Sequence, residues 1–484
     1  MKLRLPAEGR QLLAVNAAAG GVANIAKIGI QLLLLPVMAR LLGPAEFGLY
    51  ALALPTVAFF TVLADGGLGM SLAREKEAAT AVWSTAFWLL LATCSVIALA
   101  VTGLGFALAA VVDQPRLPGI MGLLSVSFLL MAVSALPAAR LVRRGNLVLH
   151  SAGDLVSTMI GAAFGVALAI QGAGAWSLAA QYVAGFLVRA VIFNAAAFER
   201  PTLVFRFAEV WPHVMTGGSV IGSRLTEFVG RALENLAYGH SFGTAALGTY
   251  ALANQISRFL CEAAGNPLWG ALYAHAVRAD DSRAVEGVHA KLTRLLALIL
   301  FPAAALLTVS APQFFALALG PRWLESVGLL QILLPFYALN VVAGQCGAIL
   351  LADGKGATMF WTLSGLSLAR LLAVLAAPWI GVSGVAWGVG AANAAYALAM
   401  FAALGRATGA GPGPLLRSLA APAAASLAAA MAYRELVALQ PMGFAWTSLA
   451  LTTGGATYIA GLLAIERRRL VADAVTIRRV LIRW

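Results

Sequence analysis

Charged side chains are scarce in this 484-residue chain: Asp, Glu, Lys and Arg make up 11% of it, where a water-soluble domain carries about a quarter. With 61% of the residues hydrophobic and a mean hydropathy of +0.87, a water-exposed globule of this size is excluded. Cysteine is almost absent. Cys94, Cys261 and Cys346 each stand alone in an apolar stretch, with no CxxC spacing, so neither a disulfide framework nor a metal site is expected. Catalytic motifs are missing too. No HExxH or GxSxG occurs, and Asp353-Gly-Lys-Gly356 is not a nucleotide loop of the GxxxxGKS/T type, since Ile349 stands five positions before Gly354 and Ala357 follows Gly356. No ATPase or hydrolase site, hence no enzyme, and no bound cofactor are expected. Acidic residues number 20 against 33 basic ones, a net charge of +13, which in a membrane protein records topology rather than binding to nucleic acid.

What the chain does have is long apolar blocks broken by short polar clusters. A helix crosses the hydrocarbon core in roughly 20 residues. On that ruler fourteen spans are expected near 12–42, 48–73, 78–112, 117–139, 147–171, 174–198, 211–239, 245–274, 292–319, 324–351, 357–380, 382–404, 415–433 and 444–465. Irregular backbone cannot face lipid, so the expected fold is an all-α polytopic membrane protein. The first block is too long for a cleaved signal peptide and thirteen more follow it, so none is expected. Extramembrane segments are short; the stretch from Arg278 to Lys291 has room for a small helix but not a catalytic domain. After the last span, Leu470, Ala474, Ile477, Leu481 and Trp484 recur at helical spacing beside Arg478, Arg479 and Arg483. That pattern is either a basic amphipathic helix on an anionic leaflet or a solvated basic tail.

Orientation follows from the distribution of positive charge. With the N-terminus inside, 23 of the 33 Lys and Arg residues fall in the tails and cytoplasmic loops, while Arg40, Arg116, Arg322 and Arg434 lie outside. Both termini are therefore expected in the cytoplasm. Aromatic residues near span ends, such as Trp83, Trp176, Tyr182 and Trp323, read as interfacial anchors.

The segment Leu42-Gly-Pro-Ala-Glu-Phe-Gly-Leu-Tyr-Ala-Leu-Ala53 recurs as Phe242-Gly-Thr-Ala-Ala-Leu-Gly-Thr-Tyr-Ala-Leu-Ala253, identical at seven of twelve positions with a constant offset of 200. Both copies join an outgoing to a returning span, and six spans separate them. An even number makes the two halves parallel in topology, as in transporters whose substrate path runs between repeats. The expected organisation is a six-helix lobe over 1–205, a second over 206–406, and an additional helix pair with the basic tail over 407–484.

These residues also carry a resemblance. Arg40-Leu-Leu-Gly-Pro-Ala-Glu-Phe-Gly-Leu-Tyr-Ala-Leu-Ala53, Leu63-Ala-Asp-Gly-Gly-Leu-Gly-Met-Ser-Leu-Ala-Arg-Glu75 and Gly320-Pro-Arg-Trp-Leu324 resemble bacterial polysaccharide transporters. These are the Wzx-type flippases of the multidrug/oligosaccharidyl-lipid/polysaccharide exporter superfamily. The resemblance implies translocation of an undecaprenyl-diphosphate-linked oligosaccharide, an O-antigen or exopolysaccharide repeat unit, from the inner to the outer leaflet of the bacterial inner membrane. It also implies a V-shaped cavity between lobes that opens alternately, and a polysaccharide polymerase and export machinery as partners. A multidrug antiporter or a lipid II-type flippase of the same superfamily is the alternative.

A charge at mid-bilayer costs about 2.5–3.5 kcal/mol or more, so it tends to face a cavity or a partner. Eleven lie inside the expected spans and away from their ends: Lys27, Asp65, Asp154, Arg189, Arg224, Glu227, Arg231, Glu234, Arg258, Glu262 and Arg370. Shifting by the repeat offset places Asn24, Lys27 and Gln31 on Arg224, Glu227 and Arg231, each set spaced i, i+3, i+7 on one helix face. Arg224, Arg231, Arg258 and Lys27, with Asn24 and Gln31 beside Lys27, are the candidate ligands for an anionic headgroup. Glu227, Glu234 and Glu262 lie three or four residues from these arginines, so helix-surface ion pairs are the competing reading. Arg189 and Arg370 lie off the equivalent faces and read as packing or snorkelling. Glu227 is the first candidate for coupling to a proton or sodium gradient. Asp65 and Asp154 are also candidates, although a cap or a salt bridge to Arg74 suits Asp65, and an N-terminal helix cap suits Asp154.

Overall fold

The computed structural model describes residues 7–65, 72, 80–278, 282–408, 413–439 and 443–483. Every regular element among them is helical. The chain runs α1 (Ala7–Leu42), α2 (Pro44–Asp65), α3 (Thr80–Val112), α4 (Leu117–Arg143), α5 (Leu147–Ile170), α6 (Ala175–Ala197), α7 (Phe207–Ala276), α8 (Ser282–Phe314), α9 (Glu325–Gly344), α10 (Cys346–Ala352), α11 (Gly356–Leu375), α12 (Ala377–Thr408), α13 (Gly413–Leu439) and α14 (Phe444–Arg483). Among the described residues eleven segments are long and apolar enough to cross a membrane, so this is a multi-pass membrane protein. The expected spans 211–239, 245–274 and 415–433 are helical as well, within α7 and α13, but are not among those eleven.

Two of the breaks in the long helical runs fall at glycines. α7 is interrupted at Gly243 (φ 82°) and α12 at Gly381 (φ 68°), both in the left-handed region that a side chain disfavours. Gly43 (φ 75°), between α1 and α2, takes the same conformation as Gly243, its partner at offset 200. The stretch 278–291 holds no separate small helix from Ser282 on: α8 begins at Ser282 and continues into the membrane. α14 runs past the expected end of its span, through a break at Glu466 (φ −143°), to Arg483. The tail is thus helical, while the side chains beyond Glu466 lie outside the described residues.

The chain forms two compact units, Met1–Gly248 and Thr249–Trp484. In the first, α3 pairs with α4, α5 with α6, α4 with α6, and α1 lies along α5. The α5–α6 contact is made by a stripe of small residues, Gly153, Ser157, Gly161 and Gly165, one per helical turn, all buried. A Cβ added at Gly161 would sit 2.8 Å from the Gln181 carbonyl, and one at Gly153 would sit 2.7 Å from the Phe193 ring. Small side chains thereby let two backbones meet in lipid, where dispersion and not hydrophobic expulsion holds helices together.

At the turn end of this hairpin Glu46, in the first turn of α2, binds three hairpins at once. It accepts 2.8 and 3.2 Å hydrogen bonds from both terminal nitrogens of Arg116 and a 2.7 Å bond from the Ala175 N–H at the start of α6. The last of these satisfies an orphan donor at a helix N-terminus, where an anion is favoured. Gly174 (φ 58°) has no room for a side chain, because Glu46 fills that space.

The repeat copies also meet within this unit. A Cβ on Gly48 would collide with the Thr244 carbonyl and one on Gly248 with the Pro44 carbonyl, and 44 and 48 carry the same offset of 200 to 244 and 248. Beside them Asn235 donates to the Ala51 carbonyl at 2.8 Å.

In the second unit α9 packs on α12, α12 on α11, and α8 on α9, α13 and α14. Pro312 precedes a π-helical turn, Phe315–Leu319, which closes at Gly320. Arg294, Glu466 and the Ser418 carbonyl meet where α8, α13 and α14 converge.

Candidate functional site

The first unit gathers charge inside its spans. Asp154, two turns into α5, faces Lys27 of α1 on one carboxylate oxygen and Arg189 of α6 on the other, at 3.9 and 3.1 Å. The Arg189 Nε–H is not aligned on the carboxylate, so that contact is ionic and not a hydrogen bond. Phe193, one turn beyond Arg189, carries the guanidinium 5.2 Å from its ring centroid and the His150 ring at 5.1 Å. Lys27, Asp154 and Arg189 keep 32%, 23% and 33% of their side-chain exposure, so the cluster is open on one side. Two cations share one carboxylate, which leaves a formal charge of +1. An excess cation at membrane depth calls for an anion.

Asp154 therefore does not cap its helix. Asn146 does so, accepting from the Leu149 N–H at 3.1 Å, and Asp154 is instead the shared counter-ion. Arg189 is likewise not a bystander. A signal for it was present: Asp154 and Arg189 lie nearly equidistant from Gly172 at the α5–α6 turn, which puts them level with each other in an antiparallel hairpin. His150, one turn before Asp154, was missed entirely.

The other predicted residues are more dispersed. Asn24 and Gln31 are exposed on α1, on either side of Lys27. Arg231 lies 5.7 Å from the Phe228 ring one turn back, and Glu234 is buried. Arg224 and Glu227 are on α7 and Asp65 ends α2, but their side chains, like the whole of Arg74, lie outside the described residues. In the second unit Arg258 and Glu262 form the helix-surface pair that their spacing allows, at 3.7 Å. Near them Tyr337 donates to the Asn254 side chain and supports the Arg370 guanidinium over its ring at 5.5 Å. An apolar cavity of about 580 Å³ in the same unit is lined by Leu306, Leu307, Phe314, Leu317, Thr447 and Leu451 among others, with no charged side chain. Among the described residues no group of His, Cys, Asp and Glu is placed to hold a metal ion.

Fold and cluster together define a multi-pass helical membrane protein with two basic side chains set against one carboxylate among its spans. The chain is a member of the polysaccharide biosynthesis protein family, whose pattern matches residues 37–328. It is 24% identical over 335 residues to the succinoglycan biosynthesis transport protein ExoT of Rhizobium meliloti, covering 69% of this chain and 68% of that one. It is equally similar, at 24% over 341 residues with the same coverage, to the lipopolysaccharide biosynthesis protein WzxC of Escherichia coli. The teichuronic acid biosynthesis protein TuaB of Bacillus subtilis matches at 24% over 337 residues, covering 68% and 69%. Among solved structures the fold is similar to the lipid II flippase MurJ in an inward closed conformation, with a TM-score of 0.70 and 12% identity over 94% of this chain and 100% of that one. It is also similar to an inward-facing multidrug resistance transporter of the MATE family (TM-score 0.62, 15% identity, 81% and 96% covered).

Proposed function

We propose that the protein is a flippase that carries an undecaprenyl-diphosphate-linked oligosaccharide from the cytoplasmic to the periplasmic leaflet of a bacterial inner membrane, with both termini in the cytoplasm. Fourteen spans in two repeat-related six-helix lobes, 1–205 and 206–406, move by alternating access, and 407–484 adds a helix pair and a basic tail. The observation that carries this reading is the Lys27–Asp154–Arg189 cluster in a chain of this family. Its fixed cations suit a diphosphate, which Arg holds through paired N–H donors and Lys as a point charge. Asp154 sits on both cations where such an anion would bind, and on loading the headgroup displaces it. Arg224, Arg231 and Arg258, with Asn24 and Gln31, are the further candidate ligands for the headgroup.

Displacement gives Asp154 a second role. A carboxylate relieved of its two cations at membrane depth takes up a proton or a sodium ion, which couples transport to an ion gradient. Glu227 and Asp65 are the further coupling candidates. No resident cofactor is required, and a polymerase with its export machinery would receive the product.

The test is translocation of a fluorescent undecaprenyl-diphosphate oligosaccharide in proteoliposomes. The expected result is transport by the wild type and its loss in folded Lys27→Ala/Arg189→Ala. Transport retained in that variant removes the headgroup site. A wild type that leaves the lipid in place but expels an organic cation along a proton gradient is a drug exporter, the reading that the MATE-like fold keeps open.

A further inference from the structure

The segment that follows α6 is neither helix nor loose loop. From Phe198 to Arg206 it runs as an irregular strap across the first turns of α3, all within the first unit. Ser84 gives its own proton to the Thr80 carbonyl and accepts from both the N–H and the hydroxyl of Thr202, each at 3.0 Å. Trp88 donates through Nε1 to the Thr202 carbonyl at 3.0 Å, and Thr85 accepts the Arg206 N–H at 2.9 Å. Glu199 is held at the strap's start by Arg140 and Arg144, one on each oxygen, both at 3.1 Å. Trp83 lies under the Arg140 guanidinium at 4.9 Å.

The opposite side of the strap is exposed. Leu203 is 91% exposed, and Phe205, Phe207 and Trp211 are exposed beyond it in one row, their rings 6.3 and 5.4 Å apart in sequence order. Arg200 and Arg206 are exposed between them, with Arg143 and Arg144 alongside at the end of α4. Apolar and aromatic side chains interleaved with arginines, at the ends of two spans that charge distribution places in the cytoplasm, match the headgroup layer. Irregular backbone is tolerated at that depth only if its polar groups are satisfied, and Ser84, Thr85 and Trp88 satisfy those that face α3.

We propose that residues 198–211 are a membrane-surface anchor, seated in the headgroup layer of an anionic phospholipid leaflet, with Leu203, Phe205, Phe207 and Trp211 at the acyl boundary and Arg200 and Arg206 on lipid phosphates. The site is separate from the substrate cluster and does not depend on what is transported.

The experiment places a bimane label on Leu203→Cys, and separately on Phe205→Cys, in nanodiscs of phosphatidylcholine alone or mixed with phosphatidylglycerol. Cys94, Cys261 and Cys346 are buried, so the unmodified protein is the labelling blank. Both labels should be quenched by a lipid bearing a nitroxide near its carbonyl and spared by aqueous iodide. Nitroxide quenching should rise about twofold with phosphatidylglycerol, and Arg200→Gln/Arg206→Gln should lose that rise while keeping the quenching itself. Iodide quenching equal to that of free label would show a solvated linker and overturn the proposal. Protection from both quenchers would show a protein-covered one, with the same consequence. Quenching that ignores phosphatidylglycerol overturns the anionic-lipid assignment.

Discussion

Asp154→Asn is the substitution that most directly tests the charge balance in the first unit. At the observed separations of 3.1 Å to Arg189 and 3.9 Å to Lys27, an effective dielectric constant of ~20 gives gross attractions of about 5 and about 4 kcal/mol. Neither is a net contribution, since bringing three charges out of water costs energy and a quarter to a third of each side chain remains open. The net loss for Asp154→Asn should fall between that of a surface pair and that of a broken buried one, at about 2–3 kcal/mol. Arg189→Gln leaves Lys27 and Asp154 as a balanced pair and should cost under about 1 kcal/mol. The double variant Asp154→Asn/Arg189→Gln carries one uncompensated cation instead of two, so it should be more stable than Asp154→Asn alone. Reversible unfolding in mixed micelles, read as a double-mutant cycle, measures all three. Inorganic pyrophosphate should also stabilise Asp154→Asn more than the wild type, because the carboxylate no longer competes for the cations. If Asp154→Asn is no less stable than Arg189→Gln and the two add within about 0.5 kcal/mol, the three residues are not a coupled cluster and the headgroup site loses its basis.

Substitutions at three further places probe the packing within each unit. Gly161→Leu should abolish transport and lower thermal stability in detergent, because a Cβ 2.8 Å from the Gln181 carbonyl forces α5 from α6 and parts Asp154 from Arg189; Gly161→Ala should show a smaller fall in both. Glu46→Gln should destabilise by about 1–2 kcal/mol through its weakened bonds to Arg116 and Ala175, measured by the same unfolding titration, whereas Arg116→Lys should lose less than half of that. Arg294→Met removes the ion pair with Glu466 between α8 and α14, and a loss of about 3 kcal/mol is expected, recovered in part by Arg294→Met/Glu466→Gln.

Eleven of the fourteen expected span positions were legible because each depends on a local property, apolar length, that lipid enforces on every segment separately. Gly43, Gly243 and Gly381, where the backbone turns left-handed, fall between consecutive expected spans. What apolar length cannot report is a helix that continues beyond the bilayer. α8 starts in the polar stretch at Ser282 and α14 runs on past Glu466, and both extensions are rich in charge. The repeat was visible as seven identities, but its consequence was not. That Gly48 and Gly248 fit against Thr244 and Pro44 is a tertiary fact, although paired glycines at one offset are what such a contact requires.

The charged cluster shows where the one-helix view fails. Searching single helix faces at i, i+3, i+7 grouped Lys27 with Asn24 and Gln31, and set Arg258 against Glu262, because those relations lie within one helix. Asp154 and Arg189 are neighbours across a hairpin, and no periodicity along either helix relates them. The relation that does is their equal distance from Gly172, joined with the small residues Gly153, Ser157, Gly161 and Gly165 that set how closely α5 approaches α6. Small residues every fourth position fix the facing sides of two helices. The turn between them fixes the register, and together they pair any two polar residues placed symmetrically about it. A lone Asp and a lone Arg in consecutive spans are then one site read twice, and their separate costs in lipid become a single shared one.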